Sequence, residues 1–136
     1  MSQGSRVDIR GIIRLNYYGH PAVKILNGGF TKWIAEGRAV VAEIPQHPPA
    51  CFTPKVQPEW LVRGAEVRAA LGDPTVRLVD CRDPRQYRGE VTRGERKGRI
   101  PGAVNVPIKS LVEGEHKTFK SDEELRRLLV RVGARS

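Results

Sequence analysis

The sequence is poor in aromatic side chains and in long apolar runs. Phenylalanine, tryptophan and tyrosine make up 6% of its 136 residues, and apolar residues make up 39%. No apolar stretch approaches the roughly 20 residues of a membrane-spanning helix, and the first residues lack the apolar segment of a secretory signal. We therefore expect a core of Leu, Ile, Val and Ala, no membrane association and a cytoplasmic location.

Cysteine is also scarce, with Cys51 and Cys81 as the two thiols. They form no C-x-x-C pair and have no histidine at ligand spacing, which disfavours a structural zinc site. One lies in a proline-rich stretch and the other follows a predicted strand. Two free thiols in a reducing compartment are therefore a simpler expectation than a disulfide. We predict no metal and no cofactor.

Acidic residues are outnumbered, with 15 Asp and Glu against 24 Lys and Arg and a formal charge of +9. Seven cations crowd the stretch from Arg82 to Arg99, with three acids between them. Such an excess suits nucleic acid, an anionic membrane or a small anionic substrate. Because no aromatic residues alternate with these cations as a stacking platform requires, we favour a solvated, flexible basic loop over a nucleic-acid surface. A small oxyanion is compatible with either interpretation.

The first part of the chain predicts a helix, a strand and a second helix. Residues 10–18 suit a short helix that Gly19 ends in a left-handed conformation, and residues 23–26 suit a strand. Phe30, Trp33 and Ile34 then have the spacing of one buried helix face. Residues 38–58 contain five prolines, which favours an extended interdomain linker.

Strands and helices alternate in the rest of the chain. We predict an edge strand over residues 60–62, a helix over 65–71, and buried-type strands over 76–79 and 103–106. This alternation predicts an α/β layer with a parallel sheet.

The last predicted helix has the clearest start signal. Ser121 and Glu124 have the spacing of a capping box, in which each side chain accepts from the other's backbone N–H. Gly133 marks the end of the helix. An apolar stripe runs between them, made of Leu125, Leu128, Leu129 and Val132.

Several ordered motifs resemble the tandem-domain rhodanese sulfurtransferases. Residues 17–33, YYGHPAVKILNGGFTKW, are similar to the end of the first domain in that family. Two further segments are similar to the opening of the second domain, namely residues 78–82, LVDCR, and 87–90, YRGE. Its glycine-x-isoleucine-proline-glycine-alanine motif is resembled by residues 98–107, GRIPGAVNVP, and its next helix entry by 119–121, FKS.

The resemblance implies a fold and a domain organisation. Residues 1–37 would be the remnant of a first rhodanese-like domain, 38–58 the linker and 59–136 a second domain that lacks its catalytic loop and C-terminal part. The fold class would be α/β, a rhodanese-like parallel sheet flanked by helices and incomplete in this chain. An incomplete sheet would leave edges unpaired and an apolar face uncovered on Leu125, Leu128 and Leu129.

The resemblance also implies a chemistry. In this family a loop cysteine takes sulfane sulfur from thiosulfate or 3-mercaptopyruvate as a persulfide and passes it to cyanide or another thiol. That cysteine would lie about ten residues beyond Ser136, counting a further strand of about 5–6 residues. We therefore expect no catalytic residue within the chain and no activity from the chain alone. The alternative is a non-catalytic rhodanese-like module that acts in binding or regulation.

Three positions match supporting residues of the family, and a fourth departs from the family's pattern. Asp80 and Arg82 match its strand-end aspartate and arginine, which implies support of the active site through an ion pair. The family's substrate-binding arginine falls at Gln86, so Arg85, one position earlier, is the candidate contact for an anionic donor. His20 resembles a residue that caps a helix end.

Neither cysteine of the chain has the family's catalytic context. We interpret Cys81 as a small filler of the core, and Cys51 as a linker residue without an anion cradle or a partner base.

Overall fold

The computed structural model of the chain describes residues 9–20, 22–92 and 94–133. It divides into two compact units, one that ends at Arg63 and one that begins at Gly64. The proline-rich stretch therefore belongs to the first unit, while the assignment of whole domains stays a prediction. None of the described helices is long and apolar enough to cross a lipid bilayer.

In the first unit, the part of the chain that the structure describes contains two α-helices. α1 spans Ile9–Tyr17 and α2 spans Gly29–Ala35, and a 3₁₀ helix covers Pro58–Trp60. α1 ends as predicted at Gly19, whose φ is +80°. The N–H of Gly19 donates to the Asn16 carbonyl at 2.9 Å and that of the next residue to Leu15 at 2.8 Å. These are the two bonds of a Schellman ending, which satisfies the last carbonyls of a helix.

Part of the predicted linker is fastened to the end of α1. The N–H of Lys55 donates to the Tyr18 carbonyl at 2.9 Å, and that of Gln57 donates to the Tyr17 carbonyl at 2.7 Å. A Cβ at Gly19 would come within 2.5 Å of the Lys55 carbonyl oxygen. Glycine therefore meets two needs here, the positive φ and the close approach of a second backbone segment.

The described residues of the second unit form three α-helices and a 3₁₀ helix. α3 spans Gly64–Ala69, α4 spans Pro84–Tyr87 and α5 spans Asp122–Arg131, and the 3₁₀ helix covers Ile108–Leu111. The predicted capping box starts α5, with Ser121 and Glu124 accepting hydrogen bonds from each other's backbone N–H.

Two small sheets complete the second unit. β1, Val79–Asp80, runs parallel to β2, Val104–Asn105, and Asp80 lies opposite Asn105. β3, Val112–Glu113, pairs antiparallel with β4, Thr118–Phe119. The fold class is therefore α/β as predicted, with a parallel sheet and flanking helices.

Two predicted strands are wrong. Residues 23–26 and 60–62 pair with no strand in the part of the chain that the structure describes. At the first, the Leu26 carbonyl accepts from Gly29 and opens the turn into α2. At the second, Pro58 stands at the start of the 3₁₀ helix, and the N–H of Leu61 donates back to its carbonyl at 3.1 Å.

Little apolar surface is fully buried. Among the described apolar residues, Ala103 and Val106 alone are buried, at 7% and 4% exposure. They flank β2, so the centre of the second unit lies beside the parallel strand pair. On α5, the expectation of an uncovered face holds for Leu129, which is 40% exposed, whereas Leu125 and Leu128 are half-buried.

Candidate active site at the end of the first strand

The candidate site begins where β1 ends, in the turn formed by Asp80, Cys81 and Arg82. The Asp80 carboxylate accepts from the Arg82 backbone N–H at 2.9 Å, which closes a local turn of the aspartate type. It also receives the Arg82 guanidinium, with Nε 3.0 Å from Oδ1 and Nη2 2.6 Å from Oδ2. This hydrogen bonding from Arg82 lowers the pKa of the Asp80 carboxyl, against a smaller opposing effect of burial.

Asn105, on β2, locks this turn to the neighbouring strand. Its side-chain amide donates to the Asp80 carbonyl at 2.7 Å and to the Arg82 carbonyl at 3.0 Å. The Arg82 guanidinium in turn donates to the Gly98 carbonyl at 2.8 Å. The turn is therefore fixed from β2 and from the loop that precedes it. Our sequence reasoning passed over Asn105, although a lone amide inside the apolar run of residues 103–106 was a usable signal.

A second set of contacts lies at the base of the basic loop, the stretch from Arg82 to Arg99. The Tyr87 hydroxyl donates to the Ala103 carbonyl at 2.8 Å. The Arg99 guanidinium stacks on the Tyr87 ring at 4.5 Å, a favourable cation–π distance. Gly89 and Gly98 also approach so closely that a Cβ at Gly89 would lie 3.2 Å from the Gly98 nitrogen. The predicted flexible loop is thus anchored at its base.

Arg85 lies on α4. None of its described contacts is with the turn formed by Asp80, Cys81 and Arg82. The Asp83 side chain caps α4 by accepting from the Arg85 backbone N–H at 2.9 Å. The Arg85 side chain is 65% exposed, and its Nε lies 3.6 Å from the Glu90 carboxylate. Arg88 Nε lies 2.5 Å from the other oxygen of the same carboxylate. Hydrogen bonding from Arg88 is the main cause that lowers the pKa of Glu90.

Cys81 is not the core filler that we expected. It is exposed, because it lies in the turn beyond β1 rather than within the strand. Partial desolvation and the charge of Asp80 both raise the pKa of its thiol. A raised pKa leaves less of the reactive thiolate at neutral pH, so the environment of Cys81 opposes a nucleophilic role.

Cys51 and His20 belong to the first unit. Cys51 is exposed and, like Cys81, forms no disulfide. The helix end at His20 is capped by its backbone N–H, whereas its imidazole packs on Phe52 with ring centroids 5.4 Å apart. Within the described chain, His20 Nδ1 is buried without a hydrogen-bond partner. The capping role predicted for His20 is therefore performed by its main chain.

The parallel strand pair and the motifs around its end define the class of this domain. The family model described as rhodanese-like domain matches residues 64–131. The chain therefore belongs to the rhodanese-like family, and the match begins at the first residue of the second unit.

Individual relatives are named for sulfur chemistry. The chain is 40% identical over 126 residues to a Mycolicibacterium smegmatis protein provisionally named thiosulfate sulfurtransferase, covering 85% of this chain and 44% of that protein. It is 37% identical over 135 residues to the sulfur carrier protein TtuD of Thermus thermophilus, covering 86% of this chain and 45% of that protein.

A solved structure supports the same fold. SseA from Escherichia coli, described as a 3-mercaptopyruvate sulfotransferase with the rhodanese fold, matches with a TM-score of 0.77 and 29% identity. The match covers 91% of this chain and 46% of SseA. The chain thus spans less than half the length of each of these three proteins.

Proposed function

We propose that the complete protein is a sulfurtransferase that moves sulfane sulfur from thiosulfate or 3-mercaptopyruvate to cyanide or a thiol acceptor. The observation that carries the proposal is the fixed turn of Asp80, Cys81 and Arg82 in a rhodanese-like domain. It lies at the carboxyl end of a parallel strand, where open α/β sheets bind their ligands. The relatives named for sulfur transfer support the same reaction class.

The proposed reaction runs through a cysteine persulfide. A cysteine thiolate, which we place beyond Ser136, attacks the outer sulfur of thiosulfate, and the sulfur–sulfur bond breaks with its electron pair leaving on sulfite. With 3-mercaptopyruvate a carbon–sulfur bond breaks instead, and the carbon takes a proton to give pyruvate. Cyanide or a second thiolate then attacks the terminal sulfur and releases the cysteine thiolate. Two displacements replace one difficult transfer, and no external oxidant is consumed.

The described residues would support this reaction without entering its covalent steps. Asp80 and Arg82 neutralise each other and hold the turn in one geometry, as the bidentate contact indicates. Arg85, with an exposed guanidinium, is the proposed contact for the anionic donor. We propose a cytoplasmic location and no nucleic-acid or membrane partner.

Thiocyanate formation from thiosulfate and cyanide tests the proposal. We expect turnover by the complete encoded protein and none by the 136-residue chain. In the complete protein, Cys51→Ser and Cys81→Ser are expected to leave turnover unchanged, and replacement of the later loop cysteine is expected to abolish it. Turnover by the 136-residue chain that disappears on Cys81→Ser would refute the placement of the nucleophile.

A non-catalytic rhodanese-like module is the second candidate, favoured by the state of the two cysteines present. Both are exposed, and the thiol pKa of Cys81 is raised rather than lowered. Sequencing of the reading frame after the Ser136 codon separates the candidates. A stop codon there supports the binding or regulatory module, whereas a short apolar run followed by a Cys-containing, Gly-rich loop supports the enzyme.

A further inference from the structure

Two arginines share one carboxylate beside the candidate donor contact. Glu90 Oε2 lies 3.6 Å from Arg85 Nε, and Glu90 Oε1 lies 2.5 Å from Arg88 Nε. All three side chains are about half exposed or more, at 65%, 55% and 46% for Arg85, Arg88 and Glu90. Two arginines and two carboxylates share this neighbourhood, because the charge of Asp83 also acts on Arg88 and Glu90. The exposed Arg85 guanidinium, which is not within hydrogen-bond distance of Glu90, can attract a further anion.

The backbone fixes this cluster. α4 ends in a Schellman motif, in which Gly89, with a φ of +80°, donates to the Gln86 carbonyl at 3.1 Å. Glu90 donates to the Arg85 carbonyl at 2.9 Å. The chain reversal at Gly89 thus brings Glu90 back beside Arg85, one of the two arginines with which its side chain pairs. The helix ending therefore places the two backbones side by side, within reach of the side-chain contact.

The two halves of the cluster differ in strength. The Arg88 side chain donates a hydrogen bond to Glu90, which is the main reason why the pKa of Glu90 is lowered, so Glu90 is ionised at neutral pH. The Glu90–Arg85 contact, at 3.6 Å, exceeds hydrogen-bond length. An incoming oxyanion could therefore bind the exposed Arg85 guanidinium without breaking the Glu90–Arg88 bond. It would still have to compete with the negative charge of Glu90.

We propose that Glu90 is a specificity-determining residue, which competes with the anionic sulfur donor for Arg85 and thereby sets the affinity for that donor. This proposal rests on the proposed function, in which Arg85 contacts thiosulfate or 3-mercaptopyruvate. Glu90 selects for donors whose charge is high enough to outcompete one carboxylate at an exposed guanidinium. Thiosulfate, with two negative charges, is attracted more strongly to the Arg85 guanidinium than a singly charged donor is.

Steady-state kinetics of the complete encoded protein tests this role. For Glu90→Gln, which keeps the size of the side chain and removes its charge, we expect the KM for thiosulfate to fall about threefold, the scale of an exposed ion pair. We expect kcat to stay unchanged, because the interaction concerns binding and not the transition state alone. Arg85→Gln should raise KM, and Glu90→Gln added to Arg85→Gln should give no further gain.

A matched control separates a local effect from a change in net charge. Glu123→Gln removes one carboxylate that pairs with Arg127 on α5 at 2.5 Å, also on the surface. It should leave the KM for thiosulfate unchanged. The proposal is overturned if Glu90→Gln leaves KM unchanged or raises it, if Glu123→Gln lowers KM as much, or if the Glu90→Gln gain persists without Arg85.

Direct binding distinguishes failure of this inference from failure of the proposed function. If the complete protein shows no turnover, the proposed function fails, and thiosulfate can still be titrated against the side-chain resonances of Arg85. Tighter binding to Glu90→Gln than to the unmodified protein would then support competition by Glu90. Equal binding, or no binding at Arg85, would overturn the inference independently of catalysis.

Discussion

Asp80 and Arg82 lie two positions apart, and their contact holds the turn at the end of β1 in place. The carboxylate holds the Arg82 backbone and guanidinium, while the guanidinium also reaches the Gly98 carbonyl. Asn105 adds two bonds to the carbonyls of the same turn. A bidentate arginine–carboxylate contact has a preferred geometry. Arg82 therefore orients the turn more strictly than a lysine at the same position could.

The Asp80–Arg82 contact should make stability depend on pH in acid. A carboxyl with a lowered pKa in the folded state stabilises the fold at pH values above its unfolded pKa. That contribution is lost as the pH falls through the lowered folded value. For Arg82→Ala we expect the pKa of Asp80 to rise towards its ordinary value, and for Arg82→Lys we expect a smaller rise. Carboxyl ¹³C NMR titration measures both.

Unfolding of the complete encoded protein by urea between pH 2 and 7, with and without Arg82→Ala, provides the thermodynamic counterpart. The stability difference between the unmodified chain and Arg82→Ala should be largest at neutral pH and should shrink in acid. A difference that does not change with pH would show that Arg82 acts through packing or through Gly98, and not through the Asp80 carboxylate.

At the residue level the sequence predicted some of the site. The ion pair of Asp80 with Arg82 was expected from the family motif, and the structure contains it. The exposure of Cys81 was not predicted, because the side chain of a small residue after a strand can be either buried or exposed. The Glu90 contacts were also missed, since they arise from the chain reversal at Gly89, which depends on how α4 ends.

Elements with strong end signals were predicted better than short ones. The helix over α5 was expected from its capping box and apolar stripe, and both are present. α4 was missed although Asp83 and Pro84 give a start signal and Gly89 an end signal. The β3–β4 hairpin has strands of two residues, which is too short for an alternating pattern to be recognised.

The capping box of α5 gives the prediction at the scale of elements. The Ser121 hydroxyl accepts from the Glu124 N–H, and removing such a cap typically costs about 1 kcal/mol. We therefore expect Ser121→Ala to lower the free energy of unfolding of the complete encoded protein by about 1 kcal/mol in urea denaturation. Arg126→Ala, at an exposed position within the same helix, is the control and should cause little loss. Equal losses in the two variants would argue against a specific role for the cap.

At the scale of the whole molecule, charge and exposed apolar surface act in opposite directions. A formal charge of +9 disfavours self-association through repulsion. Large exposed apolar side chains favour association, among them Phe30 and Ile34 on α2, each 52% exposed. Ionic strength can change this balance, because salt screens the repulsion and leaves the hydrophobic attraction.

The 136-residue chain alone is therefore expected to self-associate or to unfold over a broad, concentration-dependent transition. The described core contains two buried apolar residues, Ala103 and Val106, which leaves little hydrophobic stabilisation to offset the entropy of ordering. Sedimentation velocity at low and high salt should show larger species as salt rises. Replacing Phe30 and Ile34 together by serine should reduce them, whereas Thr31→Ser on the same helix should not. A proven monomer with a sharp thermal transition that is independent of concentration would contradict this expectation.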